Sequence, residues 1–249
     1  MEETIKPRRG AGIQAGDLSP VLKFWQWFTD HNEQLVALGD LEDKEREQLE
    51  NALQCQLTKY CDGLSYEIGD ATANGRTLTF TAEGDTDLFR YVVELVDNAP
   101  DLDWWEFVAF KQPMGTELKV RFDHYLFDTR KMYFQQLECE EEPDMLGLRI
   151  AVPTPNSSPK LGEVPVVPTP NSSPKLGEVP EGRRSVLDDE DFQVGVYVTL
   201  EALIGEFDCA TLIGYMETVP VPDEPFKAGF QPLDDLPKFV EWFKRKRDE

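Results

Sequence analysis

Two carboxylates, Glu206 and Asp208, stand directly after Gly205. Two positions apart in an extended segment they point to the same side, where they could bind a cation, hydrogen-bond a partner's backbone or, with an acid such as Glu67, form a carboxylate-only hydrolytic site whose members work as acid and base. The competing reading is that the pair satisfies backbone donors or faces water where a helix ends, since most surface acids do no chemistry. The adjacent pair Trp104-Trp105 is the other candidate. Neighbours in a strand face opposite sides, so one tryptophan is expected in the core and the other toward a helix or the surface. An exposed tryptophan beside acids would mark a protein or ligand contact, whereas a central strand covered on both faces would make the pair ordinary core.

Little else in the chain has catalytic character. The only histidines are His31 and His124. His31 falls on an apolar helical face four residues before Leu35 and reads as a packed residue, and His124 follows a strand beside Asp123. There is no HExxH, GxSxG, Walker-type glycine loop or EF-hand spacing, so motif-based enzyme classes are absent, and no cofactor or metal is expected. Cys55, Cys61, Cys139 and Cys209 form no CxxC pair. In so long a chain they make no disulfide framework and are expected to be reduced and mostly buried.

The 249 residues carry 25 Lys and Arg against 48 Asp and Glu, a formal charge of −23. The excess lies in residues 21–150 (12 basic, 27 acidic) and 181–249 (8 basic, 16 acidic), which are the parts expected to fold. Such a surface repels phosphate backbones, so nucleic-acid binding is not expected. No apolar run approaches a membrane span, and Met1 to Pro20 lacks the apolar stretch of a signal peptide. Together these features predict a cytoplasmic protein without membrane association. The basic run Lys244 to Arg247 closes a C-terminal helix, where cations offset the negative end of the helix dipole.

The elements that must hold these residues follow from periodicity. Phe24, Trp27, Phe28, His31, Leu35 and Leu38 recur at helical spacing after Ser19-Pro20, and Leu49, Leu53, Leu57 and Tyr60 mark a second helix. Leu64 to Ile68 and Thr77 to Ala82 alternate as a hairpin about Ala73-Asn74-Gly75. Leu88 to Val96 reads as a helix, and Trp104 to Phe110 and Glu117 to Phe122 read as strands, the former buried. The second half repeats this order. Met132 to Leu137 and Leu146 to Val152 are strands, Asp189 to Ile204 a helix closed by Gly205 in the left-handed conformation, Thr211 to Thr218 a strand and Leu236 to Arg247 a helix. The β-branched residues of Val194 to Thr199 also suit a strand in place of that helix. The fold expected is α+β, an N-terminal helical pair followed by two β-β-α-β units with mainly antiparallel sheet.

Between the last two strands of the second unit the sequence VPTPNSSPKLGEVP occurs twice, at residues 152–165 and 167–180, identical at all fourteen positions. Repeats held by packing keep a hydrophobic pattern while their surface letters drift. Here eight of the chain's eighteen prolines crowd into residues 152–180, which predicts a disordered Pro-rich insertion. One back-translation of Ser-Ser-Pro-Lys-Leu-Gly-Glu begins near CTCCCC and ends in GGGGAG, which are reverse complements. This points to a translated inverted-repeat DNA element, with a Pro-rich docking peptide as the competing reading. The acidic runs Glu138 to Asp144 and Asp188 to Asp191 flank the insertion and read as solvated loop charge. The organisation expected is a flexible extension over 1–20, a helical pair with the first unit and the start of the second over 21–150, the insertion over 152–180, and the remainder over 181–249.

Phe24-Trp25-Gln26-Trp27-Phe28, Leu64 to Gly69, Asn98 to Pro113 and Leu203-Ile204-Gly205-Glu206-Phe207-Asp208 resemble segments of a family of bacterial proteins to which no activity is attached. The resemblance covers most of residues 21–245 outside the insertion. It implies a bacterial source and a folded module, and nothing about chemistry. On the residues alone, the expected function is a non-catalytic acidic protein-interaction module with a basic or polar protein partner, binding through residues among Trp104, Trp105, Glu67, Glu206 and Asp208. The alternative is a small carboxylate-based or metal-assisted hydrolase.

Overall fold

The structure, a computed structural model, describes residues 19–73, 75–137, 144–153 and 186–247. The expected N-terminal extension up to residue 18, the turn residue Asn74, Cys139 with the acidic run up to residue 143, and the insertion from residue 154 lie outside the described residues. The chain divides into two compact units, Met1–Phe110 and Lys111–Glu249, and the fold is α+β.

The first unit opens with helices α1 (Pro20–Asp30), α2 (Asn32–Val36) and α3 (Asp43–Tyr60). Proline at the first position of α1 gives up no needed donor, and Val21, Phe24, Trp25 and Phe28 bury one face at helical spacing. The stripe expected through Trp27 and His31 is rotated. Trp25 is the buried tryptophan, its indole N–H donating to the Leu95 carbonyl at 2.8 Å, while the ring of Trp27 stacks on His31 with centroids 4.2 Å apart. His31 ends α1 rather than lying mid-helix. Leu49, Leu53 and Leu57 bury α3 as their four-residue spacing requires.

A three-stranded sheet follows, built from β1 (Ser65–Ile68), β2 (Arg76–Thr81) and β3 (Trp105–Ala109) in the order β1-β2-β3. β1 and β2 are antiparallel; helix α4 (Phe89–Asp97) then crosses over so that β3 runs parallel to β2. β3 is therefore a half-buried edge strand, not the buried central strand expected. Its Phe107 and Trp105 meet Phe28 edge to face at 5.4 and 5.2 Å, and Trp25 packs on Phe107 at 4.6 Å, so the sheet is fastened to α1 by aromatic rings.

The second unit begins with a hairpin in which the expected strand β4 (Lys119–Phe122) pairs with an unexpected one, β5 (Tyr125–Asp128), turning through Asp123-His124. Asp123 takes positive φ (49°), which aspartate tolerates better than most residues. Strands β6 (Tyr133–Leu137), β7 (Leu146–Val152), β8 (Ile213–Pro220) and β9 (Gln231–Pro232) form a sheet ordered β8-β7-β6-β9. β6 and β7 are antiparallel and β8 returns parallel to β7, repeating the connectivity of the first unit. The crossover is a pair of helices, α5 (Glu190–Ile204) and α6 (Glu206–Leu212), and α7 (Leu236–Arg247) ends the described chain.

α5 is a helix despite its β-branched run, because Asp189 caps it by accepting the Phe192 N–H at 3.1 Å and Phe192, Val196, Leu200 and Leu203 bury one face. Leu148, Ile150, Val240 and Phe243 complete that core. No described helix is long and apolar enough to cross a membrane.

Candidate functional site

The acids Glu206 and Asp208 lie in the first turn of α6, not in an extended segment. Two helical positions are about 200° apart around the axis, so the side chains diverge. Glu206 is fully buried. Its carboxylate accepts the Lys111 backbone N–H at 3.1 Å while its own N–H donates to the Lys111 carbonyl at 2.9 Å, a two-bond clasp between the helix start and the chain that precedes β4. A helix N-terminus leaves N–H groups without helical partners, and a carboxylate there is favoured by both hydrogen bonding and the dipole. Glu201, one turn back on α5, pairs with the Lys111 ammonium at 3.4 Å. Asp208 instead reaches Lys244 on α7 at 2.9 Å, and Lys244 also holds Glu241 at 3.0 Å. These bonds, that to Asp208 first, raise the Lys244 pKa.

Gly205 joins α5 to α6 at φ 83° and ψ 157°. The positive φ was expected, but the ψ value belongs to the extended mirror region rather than to the left-handed helix. A Cβ there would lie 3.0 Å from Pro113 and 3.2 Å from the Lys111 carbonyl. The break lets α6 leave at a new angle and brings its first turn onto Lys111.

Next to this clasp Cys209 is buried, and burial pushes its thiol up to about 12 against a hydrogen bond from Tyr197 that lowers it. Such a thiol is protonated and inert. The expectation of mostly buried cysteines is corrected for the other two described, because Cys55 is exposed and Cys61 half-buried on or just after the outer part of α3.

Glu67 belongs to the first unit, exposed on β1 opposite Thr79. The tryptophans separate, but not by strand alternation, because β3 begins at Trp105 and Trp104 lies in the turn before it. Trp105 is half-buried, its indole N–H donating to Asn32 at 2.7 Å, and Trp104 is 57% exposed. Trp104 sits at the third position of a turn closed by the Trp105 N–H on the Leu102 carbonyl (3.3 Å), with φ 76°. That φ is the one a type II turn requires at this position, where glycine or asparagine is the rule. The turn is pinned by the Arg76 N–H donating to the Trp104 carbonyl at 2.8 Å, and by Gly75, where a Cβ would come within 2.4 Å of that same oxygen. Exposed Asp101, Asp103 and Glu106 surround Trp104 in sequence, and no lysine or arginine occurs between Arg90 and Lys111.

His124 is exposed and pairs with Asp123, which holds the Asp123 carboxyl below its usual range. Among the described residues no group of three or more His, Cys, Asp or Glu is placed to hold a metal ion. The features that the sequence reading leaves out are Lys111, Glu201, Tyr197 and strand β5 with its pairing to β4. Alternation of Val120 and Phe122 with Tyr125 and Phe127 about Asp123-His124 was the signal for the hairpin. Nothing in the sequence marks Lys111 as the partner of a residue 95 positions away. No protein-family model, curated protein or solved structure matches the chain.

Proposed function

We propose that the chain is a non-catalytic cytoplasmic interaction module that binds a basic or polar protein segment through the turn carrying Trp104. The observation that carries this reading is a large apolar ring held in water, on a backbone conformation that disfavours any side chain, with the exposed acids Asp101, Asp103 and Glu106 as its sequence neighbours. Positive φ at a bulky residue costs roughly 1 to 2 kcal/mol, and strain of this kind, held in place by its surroundings, clusters at sites of contact. A tryptophan face attracts ammonium and guanidinium groups, and the neighbouring acids steer them, so a lysine- or arginine-bearing segment is the complementary partner. Against a carboxylate hydrolase stand the closure of Glu206 in its clasp and the engagement of Asp208 with Lys244.

The test is retention of proteins from a bacterial extract by immobilised wild-type chain, Trp104→Ala and Asp101→Lys/Asp103→Lys. The wild type should retain a defined set that salt elutes, because screening beyond about 8 Å removes the steering. Both variants should lose that set. Retention unchanged by either variant overturns the reading.

A further inference from the structure

We propose that the cleft between the β4–β5 hairpin, the end of β7 and the start of α5 is a binding site for a small organic monoanion, a carboxylate on an aromatic or branched apolar body. This cleft belongs to the second unit and stands independently of the Trp104 turn.

The cavity has a volume of about 410 Å³, within the range of small-ligand sites. Its floor is apolar. Phe127, Met132 and Phe192 are buried there, with the Phe127 and Phe192 rings 5.3 Å apart and Tyr125 meeting Phe192 edge to face at 5.1 Å. Its rim carries Lys119 and Lys131, both exposed. Among the described residues neither ammonium has an ion pair or a hydrogen bond, although acids outnumber bases 48 to 25 in this chain.

The acids that would compete for these lysines are committed elsewhere. Asp128, the one carboxylate among the lining residues, is held by Arg130 through two parallel bonds of 2.9 and 3.0 Å, and this fork first, with the more distant Lys119 charge adding to it, keeps its pKa low. Asp123 is paired with His124, and Asp189 caps α5. The charges left facing the cleft are two ammonium groups over a ring-lined floor. The committed carboxylates, with Asp191 nearby, still contribute a negative field, which favours a single negative charge over a phosphate dianion. The apolar floor supplies binding energy and the lysines fix the carboxylate end.

The experiment is calorimetric titration of the full chain with benzoate, phenyl phosphate and benzylamine, which share a ring and differ in charge. Benzoate should bind saturably in the millimolar range or better, phenyl phosphate more weakly, and benzylamine not at all. Lys119→Gln/Lys131→Gln changes only exposed side chains and should weaken benzoate by about tenfold or more. The site is refuted by an absence of saturable benzoate binding, by equal binding of benzylamine, or by a double variant that binds benzoate as the wild type does. Tighter binding of phenyl phosphate than of benzoate overturns the assignment to a monoanion.

Discussion

In the first unit, Phe24, Trp25 and Phe28 of α1 meet Phe80 and Phe107 of the sheet ring to ring, whereas in the second the equivalent sheet is covered by Val196, Leu200 and Leu203 of α5 and Val240 of α7. The same β-β-α-β connectivity is thus filled by two kinds of core. The polar groups are distributed differently as well. Among the described residues no carboxylate is buried in the first unit, whose 22 acids against 9 bases leave it at −13, while the second unit, with 26 against 16, takes Glu201 and Glu206 inside.

The cause is local. The first crossover is a single helix, whereas the second breaks at Gly205 and begins α6 in the interior, creating buried donors that only an acceptor can satisfy. Identical residue types therefore hold the fold in one unit and face the solvent in the other.

The largest effect expected is from Phe28→Ala, which removes the ring shared by α1 and β3. It should cost about 3 to 5 kcal/mol in denaturant unfolding, and a loss below ~1 kcal/mol would mean that the aromatic fastening is incidental. Glu206→Ala comes next, at about 3 kcal/mol, because it takes the Glu206 acceptor from the partly buried Lys111 N–H and removes a fully buried acid that makes that bond. Asp208→Ala, by contrast, breaks a partly exposed ion pair whose lysine keeps Glu241, and should cost less than about 1 kcal/mol. Equal losses from the two acids would erase the distinction between clasp and surface pair.

Gly205→Val falls between these, at roughly 1 to 3 kcal/mol, since its branched Cβ meets positive φ and the Lys111 carbonyl together. Thiol labelling should divide the cysteines in the same way. Cys55 reacts in the native state, and Cys209, buried and held up to about 12, reacts only on unfolding.

The fold was legible wherever a periodic stripe met a chain break. Leu49, Leu53 and Leu57, the alternation of Leu78 and Phe80, and the α7 boundaries at Leu236 and Arg247 all follow from spacing alone. What spacing did not carry was orientation. Trp25 displaces Trp27 from the core because the indole N–H of Trp25 finds the Leu95 carbonyl, a partner 70 residues away. β3 becomes an edge because the crossover sets it beside β2 and, among the described residues, no later strand pairs with it.

For the carboxylates, the reading that they satisfy backbone donors holds at Glu206, whereas the extended geometry does not. Glycine at 205 predicts a helix ending in extended chain, but a fresh helix starts there, and two residues on a helix diverge where two on a strand align. The exposure of one tryptophan of the Trp104-Trp105 pair follows from the sequence, but the positive φ of Trp104 does not, since no glycine or asparagine announces the turn.

That strain makes the most direct test of the account possible. Trp104→Gly supplies the residue the turn prefers, so the chain should unfold at the same temperature as the wild type or a few degrees above it, relief of about 1 kcal/mol being offset in part by the entropy of glycine in the unfolded chain. The measurement is the retention of partner protein by this folded variant. The account predicts that Trp104→Gly, at least as stable as the wild type, retains none of the proteins the wild type binds. Retention equal to that of the wild type would contradict it.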